Sequence, residues 1–376
     1  MLDTIILQIK PRCFFITDYA RFGTTRERVE KTTNPFYKWV NNPTPIDKKL
    51  GIYKPRLTLI KRGYQLFLKM EFSAPKLIFN DNVNELEEKD FNNIIITLRE
   101  KVKDMGVQVW TDELEKADII SFHPSKNIVL NNNYPASYVI KELNKADISK
   151  RFDNNKTNYR NNGEVLQIYT NSHSSVIYDK INDLKKPTKR ATDKDQTKKQ
   201  LSLFEYIREE KPRLEIIRTE IRLSKKKKMN EILGKLGYSK NPTFKDIFKK
   251  DLCQKIVILY WNQFFEDNLF LFTGKTPQDI LELILREYPK TKITSAIRTV
   301  GFYILCKDDE GMRGFRKIID SHKPSTNWQT AKRDIKSLQD KLFSNSPLEF
   351  IDDIKQNLKE FKPLRLNIND KQEVDK

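Results

Sequence analysis

The chain has 376 residues, 70 of them Lys or Arg against 51 Asp or Glu, for a formal net charge of +19 with 11% aromatic residues. A basic surplus of that size favours a polyanionic partner and suits a ribosome-associated factor as well as a DNA-binding protein. No run of about 18 apolar residues occurs, so no membrane-spanning helix is expected. Nor does any segment join an amphipathic pattern to a lipid-anchor motif. The opening MLDTIILQIK has too short an apolar run for a signal peptide. Cys13, Cys253 and Cys306 stand far apart without a CxxC pair, which suits reduced thiols in a cytoplasm.

In chain order, LDTIILQI (2–9) and RCFFIT (12–17) read as short strands. PRLTLI and QLFLKMEFS flank KRGY, where Gly63 suits the positive φ of a hairpin turn. Residues 86–105 have helical spacing, with Gly106 as C-cap. ADIISFH (117–123) reads as a strand, and GEVLQIYTN with SSVIYDKI as a second hairpin. The Lys/Thr/Asp-rich tract 185–200 reads as a mobile loop. RLEIIRTEIRL (213–223) is a strand leading into the helix SKKKKMNEILGKLG, with Ser224 as its cap. Residues 1–240 are therefore expected to form an α+β unit, an antiparallel-rich sheet with flanking helices. From Pro242 onward TFKDIFKK, CQKIVILYWNQFF, TPQDILELILREY, ITSAIRTVGFYILC and NWQTAKRDIKSLQDKLF carry 3.6-residue apolar spacing. Residues 241–376 are expected to be a mostly helical domain, frayed after about Asn367.

Alternation along a strand tells which side chains share a face. Lys69, Glu71 and Ser73 oppose Leu68, Met70 and Phe72. Ser121 and His123 share a face, as do Tyr178 and Lys180, and Arg218, Glu220 and Arg222. If these are faces of one sheet, Glu71, His123, Tyr178, Lys180 and Glu220 converge. Two carboxylates and an imidazole suit Mg²⁺ or Mn²⁺. A metal there would polarise a phosphate under attack by the tyrosine, and Lys180 or an arginine would offset the developing charge. The plainer reading is a solvated sheet face, which shows the same alternation. Tyr159 and Tyr169 also fit the bare description of a strand tyrosine.

The blocks YKPRLTLIKR, FLKMEFSAPKLIFNDNVNELEEKDF, SFHPSKNIVL, NSHSSVIYDKINDLK, LEIIRTEIRLSKKKKMNEILGKLG and TSAIRTVGFYILCKDDEGMRGFRKII together resemble the phage and plasmid replication initiators of the filamentous-phage gene II and gene X type. The resemblance runs from about residue 50 to about residue 345. It implies a bacterial cytoplasmic enzyme of rolling-circle replication, a nuclease that nicks one strand at a double-stranded origin and later rejoins the released ends. A host polymerase and helicase would be its partners. It further implies Tyr178 as nucleophile with Lys180 beside it, and Glu71, His123 and Glu220 as ligands of a divalent metal. His123 falls where relatives carry Asp. The chain departs from the best-known rolling-circle nucleases in lacking a His-hydrophobic-His motif; His123, His173 and His322 stand singly.

Phosphate contacts are expected from Lys185, Lys186, Lys189 and Arg190, from Arg218 and Arg222, and from Lys225, Lys226, Lys227 and Lys228. Thr326 is placed to cap a helix showing Trp328, Lys332, Arg333 and Lys336, either a recognition helix or one that packs inward through Trp328, Ala331 and Ile335. Two other classes compete: a non-catalytic origin-binding or copy-control protein, and an RNA-binding factor. The latter predicts exposed aromatic pairs on a sheet, where the strand faces read as charged.

Overall fold

A computed structural model describes residues 1–34, 36–131, 134–148, 152, 157–160, 164–184, 214–266, 276–308, 310–322, 328–330, 332–333 and 349–366. Eleven strands alternate with helices among them: β1 (Leu2–Ile9), β2 (Phe14–Ile16), β3 (Phe36–Asn41), β4 (Arg56–Arg62), β5 (Gln65–Ser73), β6 (Val107–Val109), β7 (Asp118–Leu130), β8 (Thr157–Arg160), β9 (Val165–Tyr169), β10 (His173–Asp179) and β11 (Glu215–Leu223). Nine form one antiparallel sheet in the order β3-β4-β5-β1-β7-β11-β10-β9-β8, and β2 pairs with β6. The fold is α+β, built on one large antiparallel sheet. No helix among the described residues is long and apolar enough to cross a membrane.

Strand β7 runs on for seven residues beyond His123, through Pro124. A proline offers no N–H to a sheet ladder and is tolerated at irregularities. Here Pro124 faces Leu2, and the β1–β7 register shifts between Leu2 and Ile5. Asp3 lies in that shift. Its carboxylate accepts from Ser73 Oγ on β5 at 2.9 Å and from Arg218 Nη1 on β11 at 2.8 Å.

One sheet face is apolar. Ile5, Leu7, Leu68, Met70, Phe72, Phe122, Ile217, Ile221 and Ile177 sit in a single cluster with helices Phe91–Asp104, Ala136–Asn144, Lys226–Lys235, Lys250–Trp261 and Glu349–Glu360. Two of those helices come from beyond residue 241, so the change of composition there is a change of element type within one shared core. Helices Pro277–Glu287 and Ile293–Lys307 instead gather their own cluster of Ile280, Ile284, Ala296 and Tyr303. Helix Lys226–Lys235 has Lys225 at its N-cap with no side-chain cap, and Ser224, expected there, stands exposed just before it.

Gly63 takes φ +58° in the β4–β5 turn, as its position predicts. Gly106 matters more: at φ +79° it ends the helix Phe91–Asp104, and its carbonyl accepts from Thr17 N at 2.9 Å. An added Cβ would stand 2.7 Å from Asp18 Cβ. Gly106→Ala is therefore expected to lower unfolding stability by at least about 1 kcal/mol, from positive-φ strain and from the clash. Urea denaturation of the two proteins checks it.

Candidate functional site

The opposite sheet face carries the polar side chains, and the chemistry concentrates where β7, β11 and β10 meet. Asp179 ends β10: its Oδ1 accepts from Asn182 N at 2.9 Å and its Oδ2 from Asn182 Nδ2 at 2.8 Å. Such a carboxylate satisfies a free N–H at a helix start, so the chain turns into the helix Lys180–Leu184. Tyr178 is the last inward residue of the strand before this turn. It faces Arg218 across the ladder, while Val176 faces Glu220 and Glu220 faces Ser125.

Glu220 is the hub. Its Oε2 accepts from the Tyr178 hydroxyl at 3.3 Å, and its Oε1 lies 2.8 Å from Arg222 Nε and 3.1 Å from His123 Nδ1. Burial alone would raise this carboxyl's pKa, but Arg222 and His123 outweigh burial and hold it well below the ordinary range. Burial pushes the Tyr178 phenol well above its usual value, against the opposing pull of Arg218. Tyr178 retains 7% exposure.

Beneath this hub lies a buried charged network. Arg218, 1% exposed, donates through Nε to Asn127 Oδ1 at 2.6 Å, through Nη1 to Asp3, and through Nη2 to the Asn82 carbonyl. The Asn82 loop is itself fixed: Asp81 Oδ1 accepts from Val83 N and Asn84 N at 2.9 and 2.8 Å. Glu85 accepts from Lys126 Nζ and Asn127 N, each at 2.7 Å. The segment 361–366 runs alongside, with Leu364 N donating to Glu85 at 2.9 Å and Leu366 N to Asn84 at 2.7 Å. Asp3, Asn82 and Asn127 have no place in the sequence reading, and Ser73 enters it only as a neighbour of Glu71 on the polar face. The one local signal was a charge, Asp3, inside the apolar run LDTIILQI.

Lys180 lies fully buried, its Nζ 5.8 Å from the centre of the Tyr178 ring and without a hydrogen-bond partner among the described residues. Burial first, then Arg218, bring its pKa down to about 7.

The remaining expected residues scatter. Glu71 shares the polar face, but its partner on β1 is Ile6, which pairs onward with Ser121. It is two strands from β7 and pairs with Lys69 Nζ at 3.5 Å. Among the described residues no three His, Cys, Asp or Glu side chains group to hold a metal. Glu220, the best carboxylate, already faces Arg222 and His123. The described side chains as placed therefore do not assemble a site for Mg²⁺ or Mn²⁺. Arg218, expected at the DNA surface, is instead interior with all three nitrogens engaged. Lys225, Lys226 and Lys227 are exposed, and Lys228 pairs with Glu231 at 2.8 Å. Lys332 pairs with Asp147 at 3.1 Å, Arg333 is exposed, and Trp328 packs on Phe315 and under Arg316. That favours the inward-packed reading of the Trp328 segment. Lys185, Lys186, Lys189, Arg190, Lys336 and the tract 185–200 lie outside the described residues, as do the residues from Asn367.

Comparison with known proteins returned no matching family model, no matching curated protein and no matching solved structure.

The two shifted groups both make stability rise with pH, over different windows. Glu220 has a depressed folded pKa, so its contribution to stability is full above the unfolded value near 4.5 and is lost as pH falls below it. Glu220→Gln should destabilise the protein at pH 7 and flatten its stability profile between pH 4.5 and more acid conditions. Lys180 acts at higher pH: between its folded pKa of about 7 and the free-lysine value of 10.5, the unfolded chain holds the extra proton, so stability rises with pH there too, as the cost of burying the charge is relieved. Lys180→Met should raise stability at pH 7 and remove that rise. Urea titrations across pH read both variants.

Proposed function

We propose that this protein is a DNA strand-nicking and strand-joining replication initiator of the rolling-circle kind, with Tyr178 as nucleophile. The observation that carries the reading is the Tyr178 hydroxyl resting on a Glu220 carboxylate that is itself held ionised by Arg222 and His123. A row of that kind supplies a nucleophile, a proton acceptor and charge compensation on neighbouring strands. The basic surplus of the chain and the block order of its sequence support the same reading.

In this mechanism Tyr178 Oη attacks the phosphorus while its proton passes to Glu220. The bond to the 3′ oxygen breaks, and that oxygen leaves as a hydroxyl by taking a proton from water. The 5′ phosphate stays on the tyrosine, and the reverse reaction rejoins the ends without ATP. An ordinary tyrosine and glutamate differ by about 6 pKa units, about 8 kcal/mol of proton transfer, and the shifts here widen that gap. The proton therefore leaves only as the P–O bond forms and the phenol oxygen loses its basicity. Arg218, facing Tyr178 across the ladder, favours the phenolate. Lys180, close to the ring, is a further source of positive charge against the five-coordinate phosphorus. No step is assigned to a metal, because the described donors do not form a site for one.

A second reading, a DNA-binding protein without nicking activity, draws on a specific observation: Tyr178 and Lys180 are both buried, and burial raises the tyrosine's pKa. One experiment separates the two. Supercoiled plasmid carrying the chain's own replicon is incubated with the protein and divalent metal, then run on a denaturing gel. The initiator reading expects a nicked product and a covalent protein–DNA adduct, both abolished in Tyr178→Phe, whose ring still packs. Absence of adduct from the unaltered protein supports the second reading. An adduct that survives in Tyr178→Phe moves the nucleophile to another tyrosine.

A further inference from the structure

The same sheet face continues to β3, the outermost strand on that side among the described residues, six strands from β10 and therefore about 29 Å away at about 4.8 Å per strand. Phe36 on β3 pairs with Arg62 on β4, and Lys38 pairs with Ile60, which pairs onward with Phe67 on β5. The register thus brings Phe36, Lys38, Arg62 and Phe67 onto one patch of the face. The Arg62 guanidinium carbon stands 6.0 Å from the Phe36 ring centre and 5.1 Å from that of Phe67, and Lys38 Nζ stands 5.1 Å from Phe36. Phe36 is 54% exposed, and Tyr64 at the adjoining turn is fully exposed. Among the described residues neither Lys38 nor Arg62 is paired with a carboxylate.

Exposed rings interleaved with uncompensated cations have a specific use. Rings and planar guanidinium groups stack unpaired bases, while the cations take the phosphates of the same strand. Duplex bases are already stacked and offer such a patch only their backbone. We propose that the Phe36–Arg62–Phe67 edge is a binding site for single-stranded DNA, separate from Tyr178, that holds an unpaired strand along the sheet face. The inference rests on the reading of this face as one that handles DNA, but not on the chemistry of Tyr178. Charge complementarity selects this occupant over a peptide added to the β3 edge, which needs backbone pairing rather than cations.

The test is fluorescence anisotropy of the full chain with labelled oligo-dT, a duplex of equal length, and oligo-rU, at one salt concentration. Phe36→Ala and Arg62→Ala alter exposed positions, and circular dichroism serves as the check on folding. Each is expected to weaken oligo-dT binding by at least about 5-fold, the lower bound for one stacked base, with duplex binding unchanged. Arg62→Lys should lose most of that affinity too, because it keeps the charge without the plane. Equal loss on duplex and single strand, or full rescue by Arg62→Lys, would show a plain charge effect and overturn the proposal. Tighter binding of oligo-rU than of oligo-dT would assign the edge to RNA and overturn it as well. If the unaltered protein binds oligo-dT and Phe36→Ala binds it equally well, only this edge is refuted. If the unaltered protein does not bind oligo-dT, the DNA reading of the whole face falls with it.

Discussion

A guanidinium with 1% of its surface exposed must have its donors satisfied by the protein, and Arg218 imposes that demand on four separate parts of the chain. Asn127 comes from β7, Asp3 from the register shift of β1, Asn82 from a loop, and Ser73 completes the Asp3 carboxylate from β5. Replacing such a cluster by apolar groups need not cost stability, but breaking one partner leaves a charge stranded. Its effect is on geometry. With Arg218 fixed, its cross-strand neighbour Tyr178 has one place to lie, and Glu220 two residues along takes the hydroxyl.

Alternation along strands made much of this legible. It placed Tyr178, Glu220 and His123 on one face, and the structure joins them directly. It says nothing of lateral order, and β1 enters between β5 and β7, which leaves Glu71 apart. Arg218 has the same phase as Glu220 and so read as a surface cation. What buries it is the loop around Asn82, a long-range cover that no local period encodes. Lys180 follows Tyr178 by two residues, as a strand neighbour would. The Asp179 and Asn182 spacing, which turns the chain into a helix at Lys180, was the overlooked signal.

Two further limits have the same origin. The strand read as 117–123 stops short of Pro124 because the compensating shift lies in β1, over a hundred residues away in sequence. Phe36 and Phe67 belong to strands separated by β4, so their meeting around Arg62 depends on register alone. The strand faces looked charged in isolation and acquire an aromatic patch only when assembled. Amphipathic periods likewise marked the helices Lys250–Trp261, Pro277–Glu287 and Ile293–Lys307 without revealing which of them shares the sheet's core, and they passed over Glu349–Glu360, which does.

The bonds from Leu364 and Leu366 to Glu85 and Asn84 join points 279 and 282 residues apart in sequence. Closing a loop of that length costs about 5 kcal/mol of chain entropy on the logarithmic law, repaid only once the contact forms. The sheet also interleaves early and late segments, with β1 seated between β5 and β7 and β11 between β7 and β10. A ribosome releases such a chain from its beginning, and folding dominated by distant contacts is slow. The loop that grips Arg218 is therefore unsupported on its outer side until residue 366 has emerged. A nascent chain carries Tyr178 long before it carries the segment that packs on the loop beside it, so the buried network under the tyrosine is complete only once residues 364–366 are in place.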